Sequence, residues 1–200
     1  MILAKEIGDI ESLMASFEKP WFIAGGWTID LAVGEVTRSH KDMDICIFRE
    51  DLEYALYFFK DWDINVAIPG EHRLKPVRHL GDVELPRYCL HLFKGSEFLE
   101  ILLTERVHEQ VIFRKDRTVT MHFDDFATGS LPRPYVNPAW QLLFKSLHTR
   151  PEDEHDFRVY LERSEDRQSK TWLLEHMIQV GGNKQWVNAL TDDFERENRG

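Results

Sequence analysis

The sequence predicts an α/β (α+β) chain in which helical and strand-like segments alternate, followed by a helical C-terminal segment. Three observations predict it. Ile7, Ile10, Leu13, Met14 and Phe17 recur at helical spacing ahead of the first apolar run. Short apolar or alternating runs at 21–24, 45–48, 63–68, 88–93 and 98–103 have the length and composition of strands. Beyond Pro138 the apolar residues keep helical spacing alone.

Two hundred residues suffice for one α/β domain, or for a small catalytic domain with a helical appendage. The opening Met1-Ile2-Leu3-Ala4 meets Lys5 and Glu6 at once, and no apolar span has membrane length, so a cytoplasmic chain without a membrane partner is expected. Cys46 and Cys89 both sit in apolar runs outside any metal-type spacing, which suits buried free thiols in a reducing compartment. Acidic residues number 35 against 25 basic, a net charge of −10. That balance argues against a nucleic-acid partner and is compatible with a cationic substrate.

The first helix, over 7–17, has a packing role. The run Trp21-Phe22-Ile23-Ala24 ends at Gly25-Gly26, where missing side chains let backbone approach a ligand or turn with positive φ. Trp27, Ile29, Leu31, Ala32 and Val33 then fit a short helix closing near Gly34, so free N–H groups and the positive helix end face the glycine turn. After a basic loop, Asp42-Met43-Asp44 opens the strand Ile45-Cys46-Ile47-Phe48. Period two puts both carboxylates on one face and Met43, Ile45 and Ile47 on the other. Two like charges that close call for a cation, and hard carboxylate oxygens suit Mg²⁺ or Mn²⁺.

Helix follows from Arg49 to Lys60, then a strand over 63–68 that stops at Pro69-Gly70. Residues 71–80 read as a loop or strand edge, with His72, Arg73, Lys75, Arg78 and His79 as a basic cluster. A hairpin at Lys94-Gly95-Ser96 joins the strands 88–93 and 98–103, and a second at 115–117 joins 111–114 to 118–121. Glu100 is a lone carboxylate in an apolar strand and must be solvated or paired, since burying it alone is costly. The glycine- and proline-bearing segment 129–134 marks a boundary between parts at 1–130 and 131–200. Pro138 then opens a helix carrying Lys145, Pro151 opens another, and short helices follow near 172–177 and 186–190. Asp153 and Asp156 read as ordinary first-turn acids complementing a helix dipole.

The string Gly25-Gly26-Trp27-x-x-Asp30 with Thr37-Arg38-x-His40-x-Asp42-x-Asp44 resembles the nucleotidyltransferase superfamily signature, and in its fuller form the small-molecule adenylyltransferases that inactivate aminoglycosides and lincosamides. The resemblance covers roughly residues 20–160 and is strongest from Gly25 to Asp44. It implies a nucleotidyltransferase domain with a mixed β-sheet flanked by helices, and a C-terminal helical part forming the other wall of a cleft. It further implies two Mg²⁺ ions, held by Asp42 and Asp44 with Glu100 as third acid, and ATP or another nucleoside triphosphate as co-substrate. Gly25 and Gly26, aided by Arg38, His40 and Lys145, would bind the nucleotide. The family usually has Asp where Glu100 stands, and Glu97 and Glu105 are the fallback acids. The acceptor would be a hydroxylated small molecule. Two other classes stay open: a protein-modifying nucleotidyltransferase of a toxin–antitoxin type pair, and a non-catalytic nucleotide-binding relic.

Overall fold

The computed structural model of the chain describes residues 4–197. Its strands are β1 (Trp21–Ile23), β2 (Asp44–Phe48), β3 (Asp63–Ile68), β4 (Arg73–Pro76), β5 (Cys89–Lys94), β6 (Glu97–Val107), β7 (Gln110–Ile112), β8 (Thr120–His122), β9 (Ala127–Ser130) and β10 (Arg133–Val136). Helices α1 (Lys5–Met14), α2 (Trp27–Val33) and α3 (Leu52–Phe58) interleave with the early strands, and α4 (Phe123–Phe126) is one short turn. Helices α5 (Pro138–Leu147), α6 (Pro151–Arg163), α7 (Arg167–Val180) and α8 (Lys184–Glu197) follow the last strand.

The sheet runs β4-β3-β5-β6-β2-β1-β10-β9, with β7 and β8 continuing from the far end of β6. It is mixed: β2 pairs parallel with β6 and β1 parallel with β10, while the other pairs are antiparallel. Helices cover both faces, which is why the central strands are continuously apolar. Alternation assigns the faces. Ile45 and Ile47 join Trp21, Ile23, Leu99 and Ile101 in a core with α1 and α3, whereas Phe22, Cys46 and Phe48 join a second core with α5 to α8. Met43 packs against the first core. Asp44 and Glu100 therefore fall, by parity, on the side of the C-terminal helices.

Local chemistry sets the ends of the helices. Asn137 caps α5 by accepting the Ala139 N–H at 2.9 Å, with Pro138 at the first helical position. Asp166 caps α7 in the same way through the Ser169 N–H. The helix expected from Arg49 opens as a 3₁₀ turn, Arg49–Asp51, before α3. Segment 129–134, expected as a boundary, contains the turn between β9 and β10, and β10 enters the sheet beside β1. The helices near 172–177 and 186–190 prove longer, because amphipathic faces continue through polar positions at both ends. Among the described residues no helix is long and apolar enough to cross a membrane.

Candidate active site

Asp44, the first residue of β2, stands in register with Glu100 of β6 across the parallel pair. Backbone bonds fix the pair at its entrance: Glu100 N–H donates to the Met43 carbonyl at 3.0 Å and Ala24 N–H to the Asp44 carbonyl at 2.8 Å. The second bond brings the glycine turn against the acid. Gly25 has φ +64°, and a Cβ there would overlap the Asp44 carboxylate, so backbone conformation and close approach both require glycine. Gly26 is the N-cap of α2, and a Cβ on it would strike the Arg38 guanidinium.

Burial, then the charges of Glu100 and Asp42, push the Asp44 carboxyl up to about 7, against the pull of Lys145 and Arg150. Burial and the charge of Asp42 likewise raise Glu100, opposed by a hydrogen bond from the Cys89 thiol. Asp42 is exposed just ahead of the strand. Asp42, Asp44 and Glu100 line one cleft of about 420 Å³ with Gly25, Gly26, Arg38, His40, Lys145 and Arg150. Asp42, Asp44 and Glu100 offer this cleft an all-oxygen donor set, and that chemistry fits a hard divalent cation. The fallback acids lie elsewhere: Glu97 is exposed at the start of β6, and Glu105 pairs with Arg117.

The basic side of the cleft is built by acids that sequence alone presents as ordinary helix-start residues. Asp153 and Asp156 are each 1 % exposed. Lys145 Nζ donates to Asp153 at 2.5 Å and to Asp156 at 2.9 Å. Arg38 grips Asp156 with two bonds, from Nε at 2.6 Å and Nη2 at 2.9 Å, which raises its own pKa. Asp153 also caps α6, accepting the Arg150 N–H at 3.0 Å. They turn inward because α6 packs against both α5 and α2.

His40 reaches the cleft wall with its ring engaged. Its Nε2 lies 2.6 Å from Asp30 Oδ2, and the ring stacks on Trp27 at 4.1 Å. Asp30 also accepts the Thr37 N–H at 3.0 Å and hydroxyl at 2.6 Å. Burial pushes Asp30 up, but these bonds outweigh it and hold the carboxyl below its ordinary value. Asp30 is thus a brace for the basic loop, and it could have been found by the argument that singled out Glu100: a carboxylate among apolar neighbours needs partners. The basic cluster 71–80 lies apart. Strand β4 is an exposed edge separated from β2 by β3, β5 and β6, where Arg73 pairs with Glu71 and Lys75 with Asp82.

The family model of aminoglycoside-2''-adenylyltransferase matches residues 6–70. No curated protein sequence matches the chain significantly. Two solved structures are similar across most of the chain. Lincosamide antibiotic adenylyltransferase LnuA, lincomycin-bound, aligns at TM-score 0.55 and 19 % identity, covering 79 % of this chain and 96 % of its own. ANT(2'')-Ia, in complex with adenylyl-2''-tobramycin, aligns at TM-score 0.56 and 14 % identity, covering 88 % and 99 %. The fold is similar to that of these two antibiotic adenylyltransferase structures, and the segment 6–70 matches the aminoglycoside-2''-adenylyltransferase family model.

Proposed function

We propose that this chain is a Mg²⁺-dependent nucleotidyltransferase that transfers a nucleoside monophosphate, most simply AMP from ATP, to a hydroxyl of a small molecule such as an aminoglycoside or lincosamide. Pyrophosphate is the other product. The observation that carries the reading is that Asp42 and the register pair Asp44 and Glu100 line one cleft with the Gly25–Gly26 turn.

Asp42 and Asp44, with Glu100, would hold two Mg²⁺ ions. When bound, these supply charge neutralisation at the attacking and leaving oxygens of an in-line displacement at phosphorus. Gly25 and Gly26 would offer bare backbone N–H groups to the triphosphate, at positions where a Cβ would strike Asp44 and Arg38. Arg38 and Lys145 contribute positive charge, and Asp153 and Asp156 hold both cations in place without rotamer freedom to lose. Glu100, with its raised pKa, holds a metal ion or accepts the proton of the attacking hydroxyl. Residues 1–130 supply the acids and the glycine turn, and 131–200 supply Lys145 and Arg150 as the opposite wall. The net charge of −10 favours a cationic acceptor over a nucleic acid, and free thiols with an ATP requirement suit the cytoplasm.

The test is a panel of hydroxylated compounds, aminoglycosides and lincosamides included, incubated with ATP and Mg²⁺ and scored by pyrophosphate release and product mass. A nucleotidylated small molecule is expected. Nucleotide attached to a protein would move the acceptor class, and nucleotide binding without any transfer would leave a binding relic.

A further inference from the structure

We propose that Cys89, His91 and Glu100 form a second metal site, selective for a borderline-soft divalent cation of the zinc class, beside the oxygen-lined site. Cys89 and His91 are two apart on β5, so they project from the same face. His91 is the cross-strand partner of Glu100 in the antiparallel β5–β6 pair. The third donor thus comes from the neighbouring strand, which is why spacing along the sequence does not reveal it.

One ligand atom from each of the three side chains lies within 4.8 Å of the other two. His91 Nε2 and Glu100 Oε2 are 3.4 Å apart, long for a charge-assisted hydrogen bond. That separation is, however, the edge of a tetrahedral site, since Zn–N and Zn–O bonds of about 2.0–2.2 Å place two donors roughly 3.3–3.5 Å apart. Closing the thiol to its own Zn–S distance of about 2.3 Å needs a side-chain shift of at most roughly 1 Å, since the three ligand atoms already lie within 4.8 Å of one another. The ring of His91 is oriented by edge-on packing against Phe98 at 5.4 Å. All three residues are half-buried, which leaves an open fourth position for water.

A sulfur, nitrogen and oxygen set discriminates against Mg²⁺, which prefers oxygen alone, and favours zinc-class ions. The other thiol cannot substitute, because Cys46 is buried and points to the Thr104 hydroxyl at 3.2 Å. Glu100 belongs to both sets. A zinc-class ion on Cys89 and His91 therefore withdraws Glu100 from Asp44, a consequence that rests on the proposed transferase reading.

The experiment uses Co²⁺ as a spectroscopic stand-in for Zn²⁺ on the full chain. One equivalent of Co²⁺ is expected to give a thiolate-to-cobalt charge-transfer band and tetrahedral visible bands, both displaced by Zn²⁺. Cys89→Ser should abolish the charge-transfer band and weaken Zn²⁺ binding about tenfold or more, while Cys46→Ser and Asp44→Asn keep the band. Absence of the band in the wild type, or its survival in Cys89→Ser, overturns the site. The spectrum needs no turnover, so it fails or succeeds independently of the proposed reaction. In a transfer assay with excess Mg²⁺, added Zn²⁺ should inhibit the wild type and spare Cys89→Ser; equal inhibition of both would overturn the sharing of Glu100.

Discussion

Asp44 and Glu100 are register partners across a parallel strand pair, so two carboxylates from distant parts of the sequence stand side by side on one face of the sheet. Burial first, and then their mutual charge, disfavours the ionised form of Asp44.

Asp44→Asn keeps the shape and removes one ligand charge. Loss of a metal clamp costs several kcal/mol and each 1.36 kcal/mol is about tenfold, so kcat should fall at least roughly 10²-fold with the fold intact. Pyrophosphate release is the measurement. More than about a tenth of the wild-type rate would contradict the two-metal assignment.

The same residue makes stability depend on pH. Its carboxyl rises from an ordinary 3.8 to about 7 in the folded chain, so between those values the native state binds more protons than the unfolded one. Its contribution to metal-free stability is therefore lost as pH rises through that window. In chelator, the Tm of Asp44→Asn relative to wild type should increase from pH 5 to pH 8, and Mg²⁺ should restore the wild type at pH 8. A difference that does not change with pH would place Asp44 in a solvated setting.

Glu100→Gln should leave the affinity for Mg²⁺–ATP within a few-fold and lower kcat by roughly 10²–10⁴ if Glu100 accepts the hydroxyl proton. Glu97→Gln should run near the wild-type rate, since Glu97 is exposed at the strand's start. Single-turnover kinetics with nucleotide bound separate the two effects. A normal rate in Glu100→Gln would remove the third acid from the chemistry.

Gly26→Val places side-chain atoms where Arg38 and His40 stand. The Arg38 guanidinium can give way, so nucleotide affinity should drop more than the Tm does. Calorimetric titration with a non-hydrolysable nucleotide decides it, and an unchanged Kd would refute the phosphate cradle.

Asp156→Asn leaves Arg38 and Lys145 sharing fewer counter-charges in a buried setting. Removing one partner of such a network costs about 3–5 kcal/mol. Urea denaturation should show a lower midpoint with an unchanged slope.

Much of this was legible in the sequence because it rests on period and punctuation. The glycine turn, the alternation from Asp42 through Ile47 and the isolation of Glu100 in β6 each come from local rules. The features that escaped were set by tertiary pairing. First-turn acids such as Asp153 and Asp156 look alike whether they face water or a lysine, and only the packing of α6 on α5 and α2 turns them inward. The proline-bearing segment at 129–134 reads as a break, yet β10 finds its partner in β1 more than a hundred residues earlier, a pairing that no local pattern signals.

The bond between Arg38 and Asp156 spans 118 residues. At a synthesis rate of about 5–20 residues per second, the arginine emerges roughly 6–24 s before its carboxylate exists. For most of that interval β1 also lacks its β10 neighbour, leaving one edge of a growing sheet unpaired. The cleft is then among the last things the nascent chain can finish, although its glycines and aspartates are among the first residues made. A ribosome stalled before α6 should hold a protease-sensitive, chaperone-bound chain, and release of the final helices should convert it to the resistant form.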